Sequence, residues 1–180
     1  PKTRSVLLLP LTAPVADVLQ RYLHEGRPAT DRPELFLRAI APAGALTRGA
    51  IAEAEALCRA VLAAEPGHFE ALFLLGTLAG RAGRAEESAR ILAQAVARHG
   101  GSANAHNNLG NALQALRRFD EALASYDRAL AVKPDHGDAH YNRGYLLQTL
   151  YDPEAALDAF DRTLAIAPDH DLALYGKASA

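Results

Sequence analysis

A period of 34 residues runs through most of this chain and limits what it can fold into. Pro66, Pro134 and Pro168 share one phase of the period, with Gly100 in the missing place. Gly76, Gly110 and Gly144 share a second phase, and His106 and His140 a third. Segments 103–136 and 137–170 agree at 16 of 34 positions, far beyond what composition alone produces. A fixed repeat of this length describes a stack of supersecondary units, each burying its apolar face only against its neighbours. Such a stack is expected to offer a continuous surface to another polypeptide rather than a catalytic cleft.

One unit shows how the packing is encoded. In residues 103–136, Ala105, Leu109, Ala112, Leu113 and Leu116 fall at helical spacing and form an apolar stripe. Asn104, Asn107, Asn108, Asn111 and Gln114 fall on another face of the same helix. A second helix carries Phe119, Ala122, Leu123, Tyr126, Ala129 and Leu130 inward, with Asp120, Glu121, Asp127 and Arg128 outward. Lys133-Pro134-Asp135 stops it, because proline lacks the amide donor and disfavours helix at the residue before it. Small residues recur where two helices must approach closely, at Gly76, Gly110 and Gly144 and again at Ala54, Ala122 and Ala156. Asp152-Pro153-Glu154 reads as an N-cap, a first helical position and a carboxylate at the positive helix end.

The stretch NLGNALQALRRFDEALASYDRALAVKP resembles the tetratricopeptide repeat, as do NRGYLLQTLYDPEAALDAFDRTLAIAP and, more loosely, LLGTLAGRAGRAEESARILAQAV. The turn glycine of the pattern stands at Gly49 and Gly83 but is replaced by Arg117 and Tyr151, and Ser88 replaces a small alanine. The resemblance implies an all-α, right-handed α-solenoid of helix-turn-helix repeats over residues 49–180. A helix is expected at 50–65, full repeats at 69–102, 103–136 and 137–170, and a capping helix at 171–180.

Residues 1–48 follow a different pattern, with seven Lys/Arg against four Asp/Glu, whereas 49–180 carry twelve against seventeen. Ser5–Leu9 reads as a strand, Pro14 opens an amphipathic helix, and Leu35-Phe36-Leu37 is a second apolar run. The segments RSVLLLPLTAPVADVLQRYLHEGRP and LFLRAIAPAGALT resemble a piece of a tyrosine recombinase (phage-type integrase) catalytic domain. Only Lys2 lies near a catalytic position of that family, and His140-x-x-Arg143 belongs to a repeat helix, so recombinase activity is not expected. This irregular segment is expected to dock its apolar face on the first repeat helices or to be poorly ordered.

Stacked first helices place their polar faces side by side. The groove expected there is lined by Asn104, Asn107, Asn108, Asn111, Gln114, Tyr141, Asn142, Tyr145 and Gln148. An amide both donates and accepts, so a row of asparagines suits an extended peptide backbone of any sequence. The repeat arms of O-linked N-acetylglucosamine transferases and their bacterial Spindly-like relatives are similar in this respect, and imply peptide binding through an asparagine ladder. A solvated filler role for these asparagines is the competing reading. A carboxylate clamp is not expected, since Asn107, Leu172 and Gly176 stand where cations are needed.

No cofactor or metal is expected. His136 and His140 are four apart, but His136 lies in the turn before the helix, and the recurrence of His106 and His140 reads as packing. Cys58 is single and lies on an apolar helical face with Leu57 and Val61. Acidic residues dominate the repeats and would repel nucleic-acid phosphate. No apolar run approaches the roughly 18 residues of a membrane helix, and Val6–Leu11 is too short for a signal peptide. A composition of 49% hydrophobic and 22% charged residues with net charge −2 is that of a soluble folded protein, and the want of a signal-peptide pattern leads to the expectation of a cytoplasmic chain. Absence of methionine and a start at Pro1 suggest a trimmed or excised fragment.

The expected function is thus a non-enzymatic interaction scaffold that takes a protein or peptide segment in its concave groove. Two alternatives stand beside it. One is the substrate-recruiting arm of a Spindly-like glycosyltransferase, and the other is self-association through open solenoid ends.

Overall fold

The structure is a computed structural model that describes residues 48–180, with side chains from Ile51 onward. The expected strand at Ser5–Leu9, the helix from Pro14, the Leu35–Leu37 run and their docking lie outside the described residues. Those residues form helices and no strand: α1 (Arg48–Ala64), α2 (Phe69–Arg81), α3 (Ala85–Arg98), α4 (Ala103–Ala115), α5 (Phe119–Val132), α6 (Gly137–Thr149), α7 (Pro153–Ile166) and α8 (Asp171–Ser179). Compactness divides the chain between Ala54 and Glu55, inside α1. The packing that follows is that of the second unit, Glu55–Ala180.

Each first helix lies against its own second helix (α2 on α3, α4 on α5, α6 on α7), and each second helix touches the next first helix. The pairing depends on a contact repeated at the sequence period. Leu92, Tyr126 and Phe160 are 34 residues apart, and each is at most 1% exposed. Each sits on the glycine of its own first helix. A Cβ at Gly76 would lie 2.7 Å from Leu92 Cγ, and one at Gly144 would lie 3.0 Å from Phe160 Cε1. At Gly110 it would penetrate the Tyr126 ring. Glycine is therefore required here by close approach and not by its backbone freedom.

The second small site works in the same way. Ser88, Ala122 and Ala156 are buried at one repeat position. Ser88 keeps the small size, and its hydroxyl donates to Gly76 O at 2.8 Å, so the added oxygen is not left unsatisfied. Apolar clusters continue across the junctions, as where Ala129 of α5 meets Ala103 of α4 and Ala139 of α6.

The turns between paired helices pass through the left-handed region in all three repeats, with φ of 76° at Gly83, 60° at Arg117 and 61° at Tyr151. The next amide closes each turn onto the helix before it. Arg84 N donates to Ala79 O at 2.9 Å, Arg118 N to Leu113 O at 2.9 Å, and Asp152 N to Leu147 O at 3.0 Å. The backbone demand is thus identical whether or not glycine is present. A side chain in this conformation costs roughly 1–2 kcal/mol, and Tyr151 is 94% exposed, so its ring returns little packing. Tyr151→Gly is expected to stabilise the protein by about 1 kcal/mol, read as a raised urea midpoint at unchanged slope.

Candidate functional site

The first helices stand side by side, with α2 touching α4, α4 touching α6 and α6 touching α8. A side-chain amide crosses each of these junctions. Asn108 Nδ2 on α4 donates to Thr77 Oγ1 on α2 at 3.0 Å, and the Thr77 hydroxyl donates to Phe73 O at 2.8 Å. Asn142 Nδ2 on α6 donates to Asn107 Oδ1 on α4 at 3.0 Å. Gln148 Nε2 on α6 donates to Ser179 Oγ on α8 at 3.0 Å. Asparagines in register thus act first as ties that hold successive helices at one spacing.

The nine residues expected to line a groove differ in what they leave free. Asn107 is buried, at 6% exposure, and supports Asn142 from beneath. Asn108 and Asn142 are half-buried, and the Oδ1 of each has no hydrogen-bond partner among the described residues. Asn111 Oδ1 and Gln114 Oε1 lie 2.8 and 2.7 Å from the Tyr126 hydroxyl. A phenol has one proton to donate, so one of these two amides turns its NH2 toward the oxygen. Burial pushes the Tyr126 phenol well above its usual range, which keeps that proton in place. Asn104 Oδ1 accepts from His136 Nε2 at 2.8 Å, near the start of its helix.

The two tyrosines divide their roles. Tyr141 packs among Phe160, His170 and Tyr145, with ring centroids 6.1, 4.9 and 6.4 Å away. Burial, then the neighbouring Tyr145, raises its phenol pKa. Tyr145 is 50% exposed.

Several contributors were not found from the sequence pattern, namely Thr77, Tyr126, Ser179 and the histidines that start helices. His68, His136 and His170 cap α2, α6 and α8, their Nδ1 accepting from Ala71, Ala139 and Ala173 N–H at 3.3, 3.4 and 3.1 Å. Ser102 fills the same place before α4. The signal was present as Pro-x-His at 66–68, 134–136 and 168–170, one period apart or two. His106 and His140 serve otherwise: their Nε2 atoms donate to Gly100 O at 3.0 Å and Pro134 O at 2.9 Å, tying a first helix to the loop before it.

Among the described residues no group of three His, Cys, Asp or Glu is arranged to hold a metal ion. Burial pushes the Cys58 thiol up to about 12, so it persists as an inert thiol. No described helix is long and apolar enough to cross a membrane.

The tetratricopeptide repeat family matches twice, over residues 45–109 and 107–171. Among solved structures, MamA is similar at 25% identity and a TM-score of 0.70, over 73% of this chain and 77% of that one. YrrB, described as a TPR protein with an unusual peptide-binding site, is similar at 27% identity and a TM-score of 0.67, over 73% and 68%. A Sinorhizobium fredii protein named as an integrase/recombinase is 56% identical over 41 residues, 23% of this chain. The chain spans about a fifth of that relative's length, 21%. A match of that extent fits the resemblance to an integrase fragment and brings no activity with it. The repeats, their helix pairs and the matched families agree, and over residues 45–171 the chain belongs to the tetratricopeptide repeat family.

Proposed function

We propose that the chain is an interaction scaffold whose first helices bind an extended segment of another protein. The observation that carries this reading is the pair of half-buried amide oxygens at Asn108 and Asn142. They lie one repeat apart and are held in place by their own N–H bonds to the neighbouring helix. Two acceptors fixed in this way meet backbone N–H groups at little ordering cost, since the host side chains have already lost their rotamer freedom. Asn111, Gln114 and Gln148 flank them as further amides, and Tyr145 adds an exposed ring for an apolar side chain. Asn104, Asn107 and Tyr141 support this face through their packing and hydrogen bonds.

Two variants together test the reading against a panel of unstructured fluorescent peptides. Asn108→Ala with Asn142→Ala is expected to weaken the binding of any peptide hit about tenfold or more. Thr77→Val removes the inter-helix tie but keeps the Asn108 amide, and is expected to weaken it much less. Unchanged affinity in the asparagine pair would refute the role of the row.

A second reading rests on α8, which leaves Leu172 59%, Leu174 49% and Tyr175 74% exposed. These positions correspond to Asp138, His140 and Tyr141 of the preceding repeat, where His140 is buried and Tyr141 half-buried. A second copy docking on this end would bury the same ridge. Sedimentation over a concentration series decides it, because a constant monomer removes the reading.

A further inference from the structure

On the side of the second helices a groove of about 740 Å³ opens between α3 and α5, with α4 as its floor. Leu109, Leu113 and Leu116 form that floor. They follow helical spacing over about 10 Å, or two turns, with Leu116 the C-cap that ends α4. Ala89 and Ala93 on α3 and Ala124 on α5 make low apolar walls. The groove arises because this seam departs from the repeat. One period later Ala89 and Ala93 become the larger Leu123 and Asp127, Leu123 packing against the Phe160 cluster and Asp127 pairing with Arg143.

Charge sets this seam apart as well. Ion pairs tie α1 to the start of α3, where Glu55 meets Arg84 and Arg59 meets Glu87. Others join Arg143 of α6 to Asp127 of α5, and Lys177 of α8 to Asp161 of α7. Among the described residues none crosses from α3 to α5. Arg90 on α3 and Arg128 on α5 line the groove from opposite walls, both exposed and, among the described residues, without an ion-pair partner. Arg118 is already engaged by Glu121 through two hydrogen bonds of 2.7 Å. Glu86 is the one unpaired carboxylate of the lining and stands on the α3 wall beside Arg90. An apolar floor between two unpaired guanidinium groups complements a segment with apolar side chains at its centre and carboxylates at its edges.

We propose that this groove is a docking site, separate from the amide face, for a short acidic amphipathic helix of a partner protein. Two or three apolar side chains of the partner rest on the leucine floor, and its carboxylates reach Arg90 and Arg128.

The probes are two fluorescein-labelled helical peptides of about 16 residues with one leucine stripe, flanked in one by glutamate and in the other by lysine. Anisotropy at low salt is expected to show the acidic peptide bound at least about tenfold tighter. Arg90→Glu with Arg128→Glu, both at exposed positions, is expected to reverse the preference, and the Asn108→Ala, Asn142→Ala pair to leave it unaltered. Amide shifts on titration are expected at residues 86–93 and 113–128. Equal affinity for both peptides, a preference that survives the double charge reversal, or no binding up to about 1 mM would overturn the proposal. Shifts confined to the amide face would overturn it too. A dimer of the protein alone that dissolves in the charge-reversed variant would assign the groove to a second copy instead.

Discussion

Alanine in place of Phe160 is expected to cost about 3–5 kcal/mol of unfolding free energy. Phe160 is fully buried, and its ring is shared by three helices. It rests on Gly144 of α6, and its Cζ would lie 2.7 Å from a Cβ at Gly176 of α8. Leu147, Ala156 and Ala173 complete the cluster, with Tyr141 packed beside it. Removing the ring leaves a void that none of these can fill, because small residues were placed there to admit it. In a stack where each unit contacts only its neighbours, the damage should begin locally. Hydrogen exchange is expected to show α8 losing protection first, while α4 and α5 keep theirs until the global transition. A uniform loss of protection across all helices would contradict the repeat-by-repeat account. Loss below about 1 kcal/mol would contradict the central role of the ring.

The second large effect is a loss of stability as pH falls from about 7 to 5. His136 accepts the Ala139 N–H at Nδ1 and donates from Nε2 to Asn104, so it must be neutral with its proton on Nε2. Burial holds its pKa below the ordinary 6.5, and burial does the same for His106. The sign follows directly. Well above pH 6.5 neither folded nor unfolded imidazole is charged, and the full stability is present. Below it the unfolded chain takes up protons that the folded chain refuses, so stability falls until the folded pKa is passed. Urea midpoints at several pH values test this. His136→Asn, which retains a capping acceptor but cannot titrate, should flatten the curve. His136→Ala should lower stability by about 1 kcal/mol at pH 7, the usual worth of a cap. A wild-type midpoint constant from pH 7 to 5 would dispose of the idea.

Helix pairs, their order and their glycine and alanine contacts were legible in the sequence because repetition displays each constraint more than once. Gly76, Gly110 and Gly144 announce a close approach simply by recurring. The partners of those glycines were less visible, since Leu92, Tyr126 and Phe160 share a role but not a chemical type. The asparagine row was seen as a row, but its division into ties and free acceptors was not. Asn107 and Asn108 are adjacent and alike in the sequence; one is buried beneath Asn142 and the other is half exposed. The difference depends on the packing angle between successive first helices, which no single helix encodes.

The sequence by itself determined the period, the helical class and the positions where only a small residue fits, because these follow from spacing along one chain. Tertiary structure alone decided which polar groups satisfy one another and which keep an acceptor unused. It also decided that the α3–α5 seam is the cationic groove. Three alanines and two arginines look unremarkable in sequence, since those on α3 stand some 35 residues from those on α5. They become a site only when helix packing sets the two walls face to face over the leucines of α4.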